Sequence, residues 1–254
     1  MPQGLFEWNM LPFGIKTSLS IFQGFMDKFF APYAKFIHPY IDDILIFSQD
    51  HKSHLEHLKK FLSICQTYGL CLNPTKLSWC TESLIFIGTR IEPNGKIYPQ
   101  DHLLKAIQKV EVKDKKSLQI FLGMVNYITG YFQNIAKARK ELNKLLWKNA
   151  LPWTDQHNQA IEEIKKQCQQ LPPLRIPGKG KKIVQTDASE EAWGAVLLEE
   201  VTINGHTKEE IVRFESGAFK GSELNYHSTH KELLVVVNAF EKFQLFIGDQ
   251  KFVL

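Results

Sequence analysis

The sequence has 254 residues, 44% of them hydrophobic, and a net charge of +4 at pH 7. This length and apolar share are sufficient for two packed domains. Apolar runs stay well short of the roughly 18 residues that a membrane-spanning helix needs, and the N-terminus lacks the pattern of a signal peptide. The cysteines fit no zinc spacing, so we interpret them as reduced thiols of a cytosolic protein: Cys65, Cys71, Cys80 and Cys168.

Apolar spacing predicts helix, hairpin and helix in the first part of the chain. Helical spacing covers residues 18–30 and 51–68, and residues 36–47 predict two short strands around a turn. Strands are also predicted at Leu70–Leu72 and Leu84–Ile91, before a turn at residues 93–95. On the second helix, these residues share one apolar face: Leu55, Leu58, Phe61, Leu62 and Cys65.

Residues 100–170 are predicted to be almost wholly helical, with breaks near residues 112–115 and 151–152. Residues 171–182 carry three prolines and two glycines, which is the composition of a linker. Beyond it we predict strands at 183–186, 192–199 and 211–219, a long helix from about Ser222 and a strand from Lys251. The predicted core stripe of that helix is Leu233, Leu234, Val237 and Phe240, with Glu232 at its edge.

Asp42 and Asp43 stand inside an otherwise apolar run, between Tyr40-Ile41 and Ile44-Leu45-Ile46-Phe47. Two adjacent carboxylates are costly in an apolar setting, and a divalent cation with a preference for oxygen ligands offsets that cost. The alternative is a hairpin turn whose carboxylates simply face water. The apolar residues on both sides favour a metal site.

This motif and its neighbours resemble the reverse transcriptases of caulimovirus-like plant pararetroviruses and related LTR retrotransposons. The matching segments follow the order of that family: Gln3 to Trp8, Leu11 to Gly14, Ser20 to Asp27, Tyr40 to Ser48, Leu72 to Lys76, Phe86 to Gly88 and Leu118 to Tyr131. The resemblance implies a polymerase palm followed by a helical thumb. It implies RNA- and DNA-directed DNA synthesis joined to ribonuclease H activity in a polyprotein.

The resemblance also implies roles for individual residues. Asp42 and Asp43 are expected to hold catalytic Mg²⁺, with Mn²⁺ as a substitute, and Lys76 to assist the departing pyrophosphate. The expected substrate-binding residues are Phe13, Gly14, Gln23, Tyr40 and Gly88. For Lys76 an ordinary surface lysine remains an alternative, and for residues 11–14 an ordinary loop.

A second acidic site is expected near the C-terminus. Asp187 ends one predicted strand and Glu232 lies on the long helix, an arrangement that resembles the opening of a ribonuclease H domain with two metal-binding carboxylates. The alternatives are an incidental turn residue and a solvated helix residue. His227 and His230 lack partners at zinc-ligand spacing, so we do not expect a zinc site there.

Three basic clusters favour contact with nucleic acid phosphates, although each is also typical of solvated helix ends. The expected partners are RNA/DNA and DNA/DNA template–primer duplexes and deoxynucleoside triphosphates, with no membrane. The clusters are Lys113, Lys115 and Lys116; Lys137, Arg139 and Lys140; and Lys179, Lys181 and Lys182.

The fold class predicted is α+β, a partial polymerase palm with a helical thumb followed by an incomplete ribonuclease H-like domain. The predicted boundaries are palm 1–97, thumb 98–170, linker 171–182 and ribonuclease H-like domain 183–254. The resemblance implies one further acidic ligand upstream of this sequence and another downstream, so we expect the isolated chain to be inactive. A dead endogenous relic and a non-catalytic template–primer binding module are the alternatives. The expected location is the cytoplasm or a virus-like particle.

Overall fold

The computed structural model describes residues 4, 7–12, 14–149, 152–203 and 205–254, without the side chain of residue 203. The chain divides into two compact units, Met1–Thr81 and Glu82–Leu254. Among the described residues, no helix is long and apolar enough to cross a membrane.

The first unit contains two helices and the predicted hairpin. Its elements are α1 Ser18–Phe30, β1 Ile37–Tyr40, β2 Asp43–Ile46 and α2 His51–Tyr68, with short 3-10 helices at Ala31–Tyr33 and Pro74–Lys76. The start of α2 is capped by Asp50, whose Oδ1 accepts from the Ser53 amide at 2.9 Å. The core of the first unit consists of Met26, Phe30, Ile37, Phe61, Ile64 and Cys65.

Two predictions for the first unit are wrong. Leu55 and Leu62 are exposed, because the buried face of α2 is rotated toward Phe61, Ile64 and Cys65. Residues 70–72 form no strand. Leu70 and Leu72 still pack against the core, but their backbone pairs with no strand in the part of the chain that the structure describes.

The second unit begins with a small antiparallel sheet and a group of helices. The strands are β3 Leu84–Phe86, β4 Thr89–Ile91, β5 Lys96–Pro99 and β6 Leu174–Arg175, in the order β3-β4-β5-β6. The segment predicted as one strand is therefore a hairpin that turns at Ile87 and Gly88, both with positive φ (45° and 64°). The helices are α3 Asp101–Lys109, α4 Lys115–Tyr127, α5 Ala136–Lys144 and α6 Asp155–Cys168.

The helical section has one more break than predicted, between α4 and α5, where a 3-10 helix spans Thr129–Tyr131. Residues of this break are buried in the core that the helices share. Burial raises the pKa of Tyr131 to about 12. The same core includes Phe121, Phe132, Leu142, Ile164, Leu174 and Phe214.

The last part of the second unit is a mixed sheet covered by one long helix. Its strands are β7 Lys182–Ala188, β8 Ala192–Ile203, β9 His206–Ala218 and β10 Phe252–Val253, and the helix is α7 Ser228–Ile247. The strand order is β10-β7-β8-β9, with β10 parallel to β7 and the other pairs antiparallel. The predicted strands and helix are confirmed, although α7 begins after a 3-10 helix at Gly221–Asn225.

The predicted core stripe of α7 is confirmed for Leu234, which packs against the core of the sheet, and is wrong for its other three residues. Leu233 is 62% exposed and Val237 54%, and Phe240 is also exposed. The buried stripe repeats every four residues and consists of Lys231, Val235, Ala239, Phe243 and Ile247. Its four apolar members pack on Val184, Ala195 and Leu197 of the sheet.

A buried ion pair holds the C-terminal end of the segment predicted as a linker, residues 171–182. Lys182 and Glu199 lie on paired strands, nearly inaccessible to solvent, with Nζ 3.1 Å from Oε1. Glu199 also accepts from the amides of Gly178 at 2.8 Å and Gly180 at 2.7 Å. Lys182 is therefore unavailable to phosphates, contrary to its place in a predicted basic cluster.

Candidate active site

Asp42 and Asp43 lie at the tip of the β1–β2 hairpin. Tyr40 pairs with Asp43, so Ile41 and Asp42 form a two-residue loop. Ile41 has a φ of 52°, which a β-branched residue rarely adopts and which costs about 1–3 kcal/mol. Both aspartates are exposed, whereas Ile44 and Ile46 pack toward the core. The hairpin thus projects two adjacent carboxylates from an apolar base.

Gln23 on α1 holds this strained loop. Its Oε1 accepts from the Ile41 amide at 2.6 Å, and its Nε2 donates to the Pro39 carbonyl at 3.2 Å and to Asp27 Oδ1 at 2.7 Å. Hydrogen bonds from both ends of the amide explain how an isoleucine keeps a left-handed conformation here. The predicted substrate contact of Gln23 stays a prediction, and the structure gives this side chain a supporting role.

The other predicted residues of the first unit are spread along it. Tyr40 is about half exposed, and Lys76 is an exposed residue that ends the 3-10 helix begun at Pro74. Gly14 has a φ of 85°, and no atom of the described residues lies within 4 Å of the position that a Cβ would take there. Phe13 lies outside the described residues, as do Gln3 and Phe6 of the matching segments. The predicted nucleotide contacts of these residues stay predictions.

Gly88, predicted to contact the primer end, lies in the turn between β3 and β4 of the second unit. Tyr127 at the end of α4 covers this turn, and its hydroxyl donates to the Ile87 carbonyl. A Cβ on Gly88 would lie 2.6 Å from the Tyr127 hydroxyl oxygen. The turn therefore requires glycine for its φ and for this contact. The sequence placed Tyr127 in the predicted thumb but gave no sign of the contact.

The predicted ribonuclease H residues are exposed on separate elements. Asp187 lies one residue before the end of β7, in register with Gly194. Because its neighbours Val184 and Ala188 pack toward α7, strand alternation places Asp187 on the opposite face of the sheet. Glu232 lies in the second turn of α7. Their convergence on a metal ion stays a prediction.

Lys231, next to Glu232, ties the start of α7 to the turn that follows Asp187. The side chain is buried, its Nζ donates to the Glu190 carbonyl at 2.7 Å, and it lies 5.4 Å from the Phe219 ring centroid. From sequence alone, a lysine in a helix is expected to be exposed to solvent. Nothing in the sequence pattern therefore indicated that Lys231 is buried and contacts Glu190.

The carboxylate pairs fit a hard divalent cation by their chemistry, but they are not complete ligand sets. Within the described ranges, no group of three or more histidine, cysteine, aspartate or glutamate residues comes together as a metal site. Mg²⁺ is commonly bound by one or two protein carboxylates together with water and substrate phosphates. Asp42 with Asp43 matches that pattern.

Comparison with known families accounts for most of the chain. A profile for reverse transcriptase (RNA-dependent DNA polymerase) matches residues 1–91, and one for the RNase H-like domain found in reverse transcriptase matches residues 153–254. The chain carries a reverse transcriptase domain followed by an RNase H-like domain. The resemblance predicted from the motifs is confirmed. The domain boundaries predicted at residues 97, 170 and 182 stay predictions.

The relatives are viral polyproteins that are much longer than this chain. The enzymatic polyprotein of cauliflower mosaic virus (strain D/H) is 39% identical over 258 residues, which cover 100% of the chain and 38% of the polyprotein. The genome polyprotein of petunia vein clearing virus (isolate Shepherd) is 38% identical over 254 residues, 99% of the chain and 11% of the polyprotein.

The fold is that of a solved viral reverse transcriptase. The foamy viral protease-reverse transcriptase in complex with dsDNA superimposes with a TM-score of 0.80 at 22% identity, over 95% of the chain and 50% of the foamy viral chain. The complex of that enzyme with an RNA/DNA hybrid gives the same TM-score of 0.80, over 95% of this chain and 33% of the foamy viral chain in that complex. The predicted mixed helix-and-sheet fold is confirmed.

Proposed function

We propose that the chain supplies the acidic hairpin of an RNA-directed DNA polymerase and the opening carboxylates of its ribonuclease H. The single observation that carries the polymerase half is the exposed Asp42–Asp43 pair on a strained loop held by Gln23. Bound Mg²⁺ would supply charge neutralisation for phosphoryl transfer from a deoxynucleoside triphosphate. The chain itself contributes adjacent carboxylates at a position held by the hydrogen bonds of Gln23.

The proposed partner is a template–primer duplex. The foamy viral enzyme was solved with dsDNA and with an RNA/DNA hybrid, and exposed lysines of this chain suit phosphate contacts. These include Lys116 and Lys137 on the helices and Lys179 and Lys181 before β7. Similarity to viral polyproteins supports a place in the cytoplasm or in a virus-like particle.

Metal binding tests the proposal directly. Titration of the full chain with Mn²⁺, followed by electron paramagnetic resonance, should detect a site that is lost in Asp42→Asn/Asp43→Asn and retained in the control Asp249→Asn, an exposed residue. Equal Mn²⁺ binding by all three proteins would contradict the hairpin site. The double variant Asp187→Asn/Glu232→Gln tests the proposed metal site of the RNase H-like domain by the same Mn²⁺ titration.

A second candidate is a non-catalytic template–primer binding module, favoured by the lack of a three-residue acidic group in the part of the chain that the structure describes. The Mn²⁺ titration of the hairpin separates the two, and primer extension on poly-rA/oligo-dT with Mg²⁺ tests the isolated chain for polymerase activity. We expect no extension by the isolated chain and salt-dependent duplex binding. Extension product that disappears in Asp42→Ala would establish polymerase activity and exclude the module. A duplex affinity that does not change with salt concentration would contradict phosphate contacts.

A further inference from the structure

Ser48 links the end of the hairpin that carries Asp42 and Asp43 to α2 through two histidines. Its Oγ lies 2.7 Å from His57 Nδ1 and 3.0 Å from His54 Nδ1. All three residues are half-buried. The ring of His57 also stacks on Phe36, with centroids 3.8 Å apart and planes 9° apart. Two imidazole nitrogens therefore share one hydroxyl group.

We propose that Ser48, His54 and His57 form a proton-sharing junction that positions the hairpin bearing Asp42 and Asp43. They act as positioning residues, because their contacts lie at the base of the hairpin and not at its tip. The positioning role rests on the proposed metal site, whereas the junction itself rests only on the geometry of the three side chains.

The junction requires two different histidine tautomers. A serine hydroxyl has one proton, so it can donate to only one of the two Nδ1 atoms. The other Nδ1 must carry a proton itself and donate to the serine oxygen. When both imidazoles are neutral, one is therefore in the Nδ1–H form and its neighbour in the Nε2–H form.

The same proton count predicts how the junction responds to acid. The Nδ1–H imidazole can gain a proton on Nε2 without loss of either hydrogen bond. A second proton must go to Nδ1 of the other ring, which turns the hydroxyl proton away and places two cations on either side of one oxygen. The junction should therefore keep both hydrogen bonds with one imidazole protonated and lose one of them with both protonated.

Other charged side chains and the remaining histidine next to the junction are engaged elsewhere or exposed. Asp50 caps α2 through Ser53, Lys60 lies 5.2 Å from the centroid of the Tyr33 ring, His38 stacks on Phe47, and Glu56 is exposed.

The hairpin needs this support because it consists of only two strands of four residues each. An isolated two-stranded hairpin is marginally stable in water. Gln23 holds its loop at one end, and Phe47 donates to the Phe36 carbonyl at 3.1 Å at the other. Ser48 follows Phe47 directly, so the junction connects that open end to α2.

Long-range ¹H–¹⁵N spectra of the full chain, with histidines assigned by substitution, test the junction. We expect one Nδ1–H and one Nε2–H imidazole for His54 and His57. In Ser48→Ala both rings should revert to the ordinary Nε2–H form, and Ser48→Thr should restore the mixed pair. Two Nε2–H rings in the wild-type chain would overturn the junction.

Mn²⁺ affinity at the hairpin tests the positioning role. We expect Ser48→Ala to weaken it on the order of fivefold, the equivalent of about one hydrogen bond, and Ser48→Thr to restore it. Ser63→Ala, an exposed serine on the same helix, is the matched control and should change nothing. Unchanged affinity in Ser48→Ala would overturn the positioning role. A wild-type chain without Mn²⁺ binding would instead contradict the proposed function and leave the mixed tautomers intact.

Discussion

The side-chain oxygen of Gln23 lies 2.6 Å from the backbone nitrogen of Ile41, although 18 positions separate the two residues. This bond joins α1 to the strained loop that carries Asp42. It replaces a hydrogen bond that the loop amide would otherwise make to water, and it holds Ile41 at a φ of 52°.

Loss of the Gln23 amide should loosen the loop without unfolding the unit. For Gln23→Ala we expect the free energy of unfolding to fall by about 1–2 kcal/mol, because the bonds to Ile41 and Pro39 are lost together. Hydrogen exchange of the Ile41 amide should become faster. Gln66→Ala on the exposed side of α2 is the control. Unchanged exchange at Ile41 would show that the contact does not hold the loop.

Gly88 should tolerate no side chain. Alanine there would have to adopt a φ of 64° and would place its Cβ 2.6 Å from the Tyr127 hydroxyl, so we expect a loss of about 2 kcal/mol or more in urea denaturation. Gly123→Ala in α4 is the matched control, since nothing lies within 4 Å of its added Cβ. That change should stabilise the chain by roughly 0.5–1 kcal/mol. Equal effects of both changes would refute the contact with Tyr127.

The hairpin, most helices and the sheet could be predicted because their apolar spacing is local. The buried face of α7 could not be predicted, because Leu233, Val237 and Phe240 are as apolar as the residues that pack on the sheet. A helix that is apolar on several sides does not reveal which side meets the sheet. Lys231 is buried only because its ammonium reaches the Glu190 carbonyl, 41 positions away. The contacts of Gln23 and Ser48 likewise join side chains to partners outside their own element, which no local pattern records.

The buried pair of Lys182 and Glu199 should make stability depend on acid. Burial opposes ionisation of Glu199, but the amides of Gly178 and Gly180 and the Lys182 ammonium outweigh it, so the pKa of Glu199 is lowered from its ordinary 4.5. A carboxylate with a lowered folded-state pKa stabilises the fold above its unfolded pKa. That stabilisation is lost as the pH falls below 4.5 and through the folded-state value.

Glu199→Gln therefore should cost about 3 kcal/mol or more at pH 7, because Lys182 is left buried without its partner. The difference from wild type should shrink as the pH falls through that range. Glu200→Gln breaks the neighbouring, more exposed pair with Lys181 and should change stability by no more than about 1 kcal/mol. Thermal unfolding between pH 3 and 7 measures both. A pH-independent difference for Glu199→Gln would argue against ionised Glu199 in the folded chain.

The cysteines should differ in reactivity according to burial. Burial raises the pKa of Cys168 to about 11 and also raises the pKa of Cys65, whereas Cys71 and Cys80 are exposed. At pH 8 a thiol with a pKa near 11 has about 100-fold less reactive thiolate than one with the ordinary 9.0, and packing of α6 limits access further. Iodoacetamide labelling followed by mass spectrometry should modify Cys71 and Cys80 first. Cys168 should react only after denaturant is added, and alkylation of Cys168 as fast as Cys71 in the native chain would mean that α6 does not pack on its core.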